Sequence, residues 1–298
     1  MSDSLNTKDC HGEAARARLS LKTRHGELDL SRRTALMGVL NVTPDSFSDG
    51  GKFFDPGRAV ARGLELAAEG ADIIDIGGES TRPGSEPVPA AEEIGRVVPV
   101  IRALRRQVAL PISIDTYKAE VARRALAEGA DIVNDVSALR FDSGMAPLVA
   151  AEKVPVILMH MQGTPRTMQL SPSYRNVVSE VADFLRARAR AAAEAGIDPG
   201  AIVIDPGIGF GKTLEHNLAL LRRTRVFTRL GFPLLVGVSR KAFIGRILDA
   251  GPEDRLEGSL AAAAAAVLGG AHIIRAHDAR ATARALRVLD AIRRAPVT

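Results

Sequence analysis

The sequence predicts a single α/β domain, a (β/α)8 TIM barrel, preceded by a short N-terminal extension. Three observations predict it. From Thr34 onward, eight short apolar runs of β character recur, at 35–42, 71–77, 111–114, 130–133, 155–159, 201–204, 233–238 and 271–274. Helical patterns separate most of them, at 58–69, 90–106, 117–128, 174–195 and 216–230, and a last one follows at 279–294. Gly70, Gly129, Gly231 and Gly270 stand between a helix and the next run, where glycine accepts the left-handed backbone that stops a helix. Strands covered by helices on the outside read as continuous apolar runs. Alternating strands and helices give a parallel sheet, and eight of them close a barrel. A doubly wound open sheet is the other architecture this rhythm permits.

Taken in order, residues 1–18 are a polar tail without a period, and Leu19/Leu21 and Leu28/Leu30 alternate around His25-Gly26 as a short hairpin does. Residues 1–33 are therefore assigned to the extension and 34–298 to the barrel. The first run ends in Asn41 and a Gly/Pro/Ser/Asp-rich loop. The second ends in GGESTRPG, the third in Asp115, the fourth in Asn134-Asp135 and the fifth in His160. The sixth ends in Asp205-Pro206-Gly207, the seventh in Ser239-Arg240-Lys241 and the eighth in Arg275-Ala276-His277-Asp278. An alanine-rich helix at 260–268 precedes the eighth run and can pack on its own barrel or on a second copy.

Composition narrows the class. The chain has 298 residues, 46% hydrophobic and 25% charged, the balance of a folded globular protein. The length suits one barrel of about 250 residues with an extension. No apolar run reaches the ~18 residues of a membrane span, and the polar N-terminus lacks the apolar centre of a signal peptide. Cys10 is the only cysteine, so no internal disulfide forms and a cytoplasmic location is expected. The net charge of +5 comes mostly from arginines interspersed with acids on helix faces. With no Trp and 2 Tyr there are few stacking platforms, so nucleic acid is not the expected partner.

In a barrel the chemistry belongs to the carboxyl ends of the strands. Here every strand delivers a polar group to that rim. Asp115 and Asp278 can serve instead as helix N-caps, but capping explains neither Lys241 nor Arg275, and eight convergent polar groups point to a ligand site. Carboxylates and a carboxamide suit the N–C–N edge of a flat heterocycle. Lys241, Arg275 and His277 offer cations, and Asn41 offers a hard oxygen; these suit phosphate oxygens and Mg²⁺. The segment PGIGFGKT (206–213) misses the P-loop because Pro206 stands where its first glycine is required, and misses the dinucleotide fingerprint because Lys212 stands at the third. No H-E-x-x-H pattern or cysteine cluster suggests zinc. His160, between Met159 and Met161, reads as a structural histidine.

Taken together, MGVLNVTPDSFSDGG (37–51), ADIIDIGGESTRPG (71–84), PISIDTYKAEVA (111–122), GADIVNDVS (129–137), VPVILMHMQGTPRTMQ (154–169), IVIDPGIGFGKT (202–213), LLVGVSRKAFIG (234–245) and IIRAHD (273–278) resemble the dihydropteroate synthases, a pterin-binding family. The resemblance covers about residues 35 to 290. It implies a transferase of folate biosynthesis that joins 4-aminobenzoate to (7,8-dihydropterin-6-yl)methyl diphosphate, giving 7,8-dihydropteroate and diphosphate by an SN1-like loss of diphosphate, with sulfonamides competing for the aminobenzoate site. Residue by residue, it implies that Asn41 holds Mg²⁺ and that Asp115, Asn134, Asp205 and Lys241 bind the pterin. Thr81 then contacts the substrates, and Arg275 and His277 clamp the diphosphate. Phe47, Arg82, Pro83, Phe210 and Ser239 then form the aminobenzoate and sulfonamide pocket. The catalytic set it implies is Asp115, Lys241, Arg275 and His277, working in a homodimer. Ala276 replaces the family's usual branched residue. A pterin-binding methyltransferase domain shares the barrel and part of the pterin set but has no need of the clamp; a catalytically silent relative acting as a binding subunit is the non-enzymatic alternative.

Overall fold

The structure is a computed structural model, and it describes residues 19–43, 55–80 and 84–296. A hairpin of β1 (Ser20–Thr23) and β2 (Gly26–Asp29) comes first. The barrel strands are β3 (Ala35–Asn41), β4 (Ile73–Gly77), β5 (Ile112–Asp115), β6 (Ile132–Asp135), β7 (Val156–Met159), β8 (Ile202–Asp205), β9 (Leu235–Gly237) and β10 (Ile273–Ala276). All their pairings are parallel, in the order β8-β7-β6-β5-β4-β3-β10-β9. A parallel bridge between Ile204 and Leu234 joins the two ends, and the Ile204 N–H donates to the Pro233 carbonyl at 3.0 Å. The sheet is thereby a ring and not a doubly wound open sheet.

Around the ring lie α1 (Pro56–Ala68), α2 (Ala90–Arg105), α3 (Ala119–Ala127), α4 (Met145–Glu152), α5 (Val177–Glu194), α6 (Leu214–Arg222), α7 (Thr224–Thr228), α8 (Ala242–Leu248), α9 (Leu256–Leu268) and α10 (Ala279–Arg294). The single helix expected over 216–230 is broken between α6 and α7. The Thr224 hydroxyl donates to the Leu221 carbonyl at 2.8 Å, and Arg223 has relaxed from helical geometry, with φ −109° and ψ 24°. The sequence pattern did not reveal α4 or α8: α4 is apolar almost all round, and α8 has only 7 residues, too few to display a period.

Strand side chains alternate between two faces, and this alternation builds two cores. Outward residues such as Leu36, Leu40, Ile74, Ile76, Ile112 and Ile114 pack against Leu66, Val97, Leu104 and Val121 of the helices. Inward residues Ala35, Met37, Ile73, Ile132, Ile157, Val203, Leu235 and Ile273 fill the amino-terminal half of the barrel. The hairpin closes that end. Leu21 and Leu30 are fully buried in the inner core, each such burial stabilising by about 1.5–3 kcal/mol. The hairpin turn is tied down by Arg24 Nη1 donating to the Leu126 carbonyl (3.0 Å), an Arg24–Glu152 ion pair, and His25 Nδ1 at 2.6 Å from Asp131 Oδ1.

Two residues beyond each inner apolar residue, the same face reaches the carboxyl-terminal half of the barrel. Ile73 is followed there by Asp75, Ile132 by Asn134, Ile157 by Met159, Val203 by Asp205 and Ile273 by Arg275. The period of two that makes the lower layer apolar places Asp75, Asn134, Asp205 and Arg275 in the upper layer.

Candidate active site

One pocket opens at the carboxyl-terminal rim, lined by Asp115, Asn134, Met159, Asp205, Phe210, Lys241 and Arg275 among others. Asp115 and Asn134 pair in register on adjacent strands. Arg275, from β10, donates from Nη2 to Asp115 Oδ2 (2.7 Å) and from Nε to Asp75 Oδ2 (2.6 Å). Asn134 Nδ2 donates to the same Asp75 oxygen at 3.2 Å. The opposite wall is the loop after β8. There Asp205 Oδ1 accepts from the Gly207 N–H at 2.7 Å. Gly207 has φ +65°, and a Cβ on it would lie 2.0 Å from the His160 carbonyl oxygen, so only glycine fits. The Phe210 ring lies 4.1 Å from Lys241 Nζ, a cation–π contact across the pocket.

Burial sets the charges. Asp115 is 8% exposed and Asp205 6%. Desolvation raises the Asp115 carboxyl to about 7 despite the attraction of Arg275, and raises Asp205 to about 6 despite its bond from Gly207 and the attraction of Lys241. Desolvation lowers Lys241 to about 8, with Arg275 adding to the effect. Arg275 stays protonated between its carboxylates, its pKa raised above the usual value. His277 is lowered to about 3, first by burial and then by Arg275, Arg240 and Lys241. His277 Nδ1 lies 3.2 Å from Ser239 Oγ, which also accepts from the His277 N–H at 3.2 Å.

Of the residues singled out in the sequence, Asp115, Asn134, Asp205, Phe210, Lys241 and Arg275 meet in this pocket. Ser239 and His277 lie together at the ends of β9 and β10. Asn41 ends β3, paired in register with Gly77, which is itself paired with Asp115. Phe47, Thr81, Arg82 and Pro83 lie outside the described residues. Neither Asp115 nor Asp278 caps a helix through its side chain. The N-cap of α3 is Lys118, and Asp278, at the start of α10, is held instead by Arg240 Nη2 at 2.6 Å.

Two contributors carry little signal in the sequence, and a third stands within the second strand end. Asp75 is enclosed in an apolar run, although a carboxylate in the middle of a buried strand is itself a signal. Lys212 stands in the segment that misses the P-loop. Its Nζ points inward, donating to the Phe210 carbonyl (2.8 Å) and lying 3.0 Å from His160 Nδ1, so it ties the β7 and β8 ends together. Behind the second rim loop, Glu79 accepts from Lys118 Nζ, from the Tyr117 hydroxyl (2.6 Å) and from the Val88 N–H (2.8 Å).

The pocket offers two buried carboxylates and a carboxamide beside two cations, a set that accepts the N–H edge of a flat ring at one end and an anion at the other. Comparison with known proteins agrees. The family model described as pterin binding enzyme matches residues 37–277. The chain is 49% identical over 265 residues to the dihydropteroate synthase of Synechocystis sp., covering 89% of this chain and 92% of that one. It is 47% identical over 264 residues to that of Escherichia coli, covering 89% and 93%. Among solved structures, Xanthomonas albilineans dihydropteroate synthase with 4-aminobenzoic acid superposes with a TM-score of 0.88 at 48% identity, covering 94% of this chain and 100% of that one. The same enzyme in complex with 7,8-dihydropteroate gives a TM-score of 0.82 at 47% identity, covering 91% and 97%. On its fold, its rim residues and these matches, the chain belongs to the pterin-binding enzyme family, among the dihydropteroate synthases.

Proposed function

We propose that the chain transfers the dihydropterin-methyl group of (7,8-dihydropterin-6-yl)methyl diphosphate to the amine of 4-aminobenzoate, releasing diphosphate and 7,8-dihydropteroate. The observation that carries this reading is the meeting of Asp115, Asn134, Asp205, Lys241 and Arg275, from five separate segments, around one pocket. Asp115, Asn134, Asp205 and Lys241 bind the pterin ring, Asp205 at its amino-pyrimidinone edge. Asp115 stands near the ring and favours the positive charge that grows on the methylene as the C–O bond to diphosphate breaks. Arg275 and His277 receive the departing anion. The aromatic amine is neutral near pH 7 and attacks without a base, losing its proton after the C–N bond forms. Phe210 and Ser239, with Phe47, Arg82 and Pro83, form the aminobenzoate site, where sulfonamides compete, and Thr81 contacts the substrates.

Mg²⁺ fits the reading. Among the described residues no three His, Cys, Asp or Glu side chains form a ready-made cage. Mg²⁺ is commonly held by one or two protein oxygens together with substrate phosphates and water. Asn41 at the rim is the hard oxygen donor for this role. When bound, the ion neutralises charge on the leaving diphosphate.

The barrel over 34–298 works as one unit with the hairpin as its floor. Two copies pair through α9 and α10, where Leu268, Val288 and Ile292 are 55%, 60% and 61% exposed. α9 also packs Ala263, Ala266 and Val267 on its own barrel. The enzyme works in the cytoplasm; among the described residues no helix is long and apolar enough to cross a membrane. The deciding experiment mixes the protein with Mg²⁺, the pterin diphosphate and 4-aminobenzoate, and measures dihydropteroate and diphosphate. Equal amounts of both are expected. Diphosphate without dihydropteroate, or neither, refutes the reading. Sedimentation equilibrium tests the dimer.

A further inference from the structure

Asp75 lies on β4, fully buried, one layer beneath the pocket and not among its lining residues. A carboxylate there is costly, since an aliphatic side chain would continue the inner core. Its Oδ2 accepts two bonds, from Arg275 Nε at 2.6 Å and from Asn134 Nδ2 at 3.2 Å. Its Oδ1 has no hydrogen-bond partner in the structure. Asp75 thus joins β4 to β10 on one side and to β6 on the other. Arg275 in turn bridges two carboxylates, Asp75 below and Asp115 at the pocket.

We propose that Asp75 is a positioning residue for the reaction, holding the Arg275 guanidinium and the Asn134 carboxamide in their working orientations when Asp115 turns to the pterin. This rests on the reading of the site given above. Asp115 has one oxygen bonded to Arg275, while its other, Oδ1, has no hydrogen-bond partner in the structure. Ring N–H groups that bind Asp115 compete with Arg275 Nη2 for it. Arg275 would then swing freely on its long side chain were it not for Nε on Asp75. That bond restrains the guanidinium beside the pocket it lines. The same oxygen keeps the Asn134 amide from flipping. A carboxylate is needed because a neutral acceptor would leave Asp115 as the only charged group bonded to Arg275, drawing it onto the group that must serve the substrate.

A second consequence separates this role from simple packing. Asp115 is bonded to Arg275 on β10 and feels the charges of Asp75 on β4, Glu93 on α2, Asp135 on β6 and Lys241 before α8. Asp75 competes for Arg275 and repels a second negative charge, so it opposes ionisation of Asp115. Its neutralisation therefore makes Asp115 ionise at lower pH.

The test uses Asp75→Asn and Asp75→Ser in the full chain, with kinetics from pH 5 to 9. For the pterin diphosphate, kcat/KM is expected to fall about tenfold or more, while KM for 4-aminobenzoate changes by less than about twofold. The acid limb of the pH profile is expected to move down by about one pH unit. An unchanged or upward-moving limb, or equal losses for both substrates, overturns the proposal. If neither variant folds, a wild-type structure with a bound pterin decides: Arg275 Nε still donating to Asp75 supports the role, and Arg275 detached from Asp75 overturns it. Wild-type turnover in the same assay is a separate result; its absence defeats the reading of the site, and the bound structure then still judges Asp75.

Discussion

Replacing Asp205 by asparagine keeps the shape of the side chain, removes its charge and separates binding from stability. In shape the variant retains the bond that organises the loop: Asn Oδ1 can still accept from the Gly207 N–H, now at 2.7 Å. What it loses is a charged acceptor for the pterin edge, and hydrogen bonds to charged groups contribute about 1.5–3 kcal/mol each. A loss of about 2–3 kcal/mol corresponds to a dissociation constant raised about 30- to 150-fold. Stability should move the other way. Burial raises the Asp205 carboxyl from 3.8 to about 6 in the folded protein, and that net shift already includes the attraction of Lys241, Arg275 and Lys212. Between these values the folded state binds more proton than the unfolded state, so Asp205 lowers stability as pH rises from about 4 to 6 and keeps it lowered above that. The penalty at pH 7.5 is of order 3 kcal/mol, and asparagine does not carry it. Calorimetry of pterin binding and thermal melts from pH 4 to 8 check both halves. The expected result is weak pterin binding with a Tm above wild type at pH 7.5, the Tm gap closing toward pH 4. Near-native pterin affinity, or a Tm deficit at pH 7.5, refutes the reasoning.

Four further outcomes are expected. Asp115→Asn lowers kcat far more than it raises KM, because its charge matters most when the methylene becomes cationic; unchanged kcat in steady-state assays contradicts that role. Gly207→Ala drives a methyl into the His160 carbonyl at a positive φ, so the loop must shift; titration should find pterin binding lost, and retained affinity would show that the loop yields freely. Leu21→Ala opens a cavity where the hairpin floors the barrel and costs about 2–5 kcal/mol, seen as a lower denaturation midpoint with kcat unchanged below the transition. Asn41→Ala raises the Mg²⁺ concentration needed for half-maximal rate, and chelation with EDTA stops wild-type turnover until Mg²⁺ is restored; a Mg²⁺ dependence identical to wild type removes Asn41 from that role.

The barrel was legible in the sequence because eight apolar runs repeat a local pattern, and local patterns are what periodicity reports. The rim was legible for the same reason: Asn134, Asp205 and Arg275 each interrupt an apolar run at its end. Asp75 and Lys212 were not. Asp75 joins the cluster only because Arg275, 200 residues away, reaches it, and Lys212 only because the loop after β8 folds its amine back to the Phe210 carbonyl. The break between α6 and α7 was equally silent, since it depends on one hydroxyl choosing a carbonyl.

By itself the sequence determined the strands, the helices between most of them, the polar group at each strand end and the family resemblance carried by the loops. Tertiary structure alone decided that the sheet closes through Ile204 and Leu234 and that Arg275 is shared between two carboxylates. The physical reason is that residue types and their spacing along the chain fix hydrogen-bonding capacity and amphipathic period. Burial, charge pairing and ring closure depend instead on distances between residues far apart in sequence, and those exist only once the chain has folded.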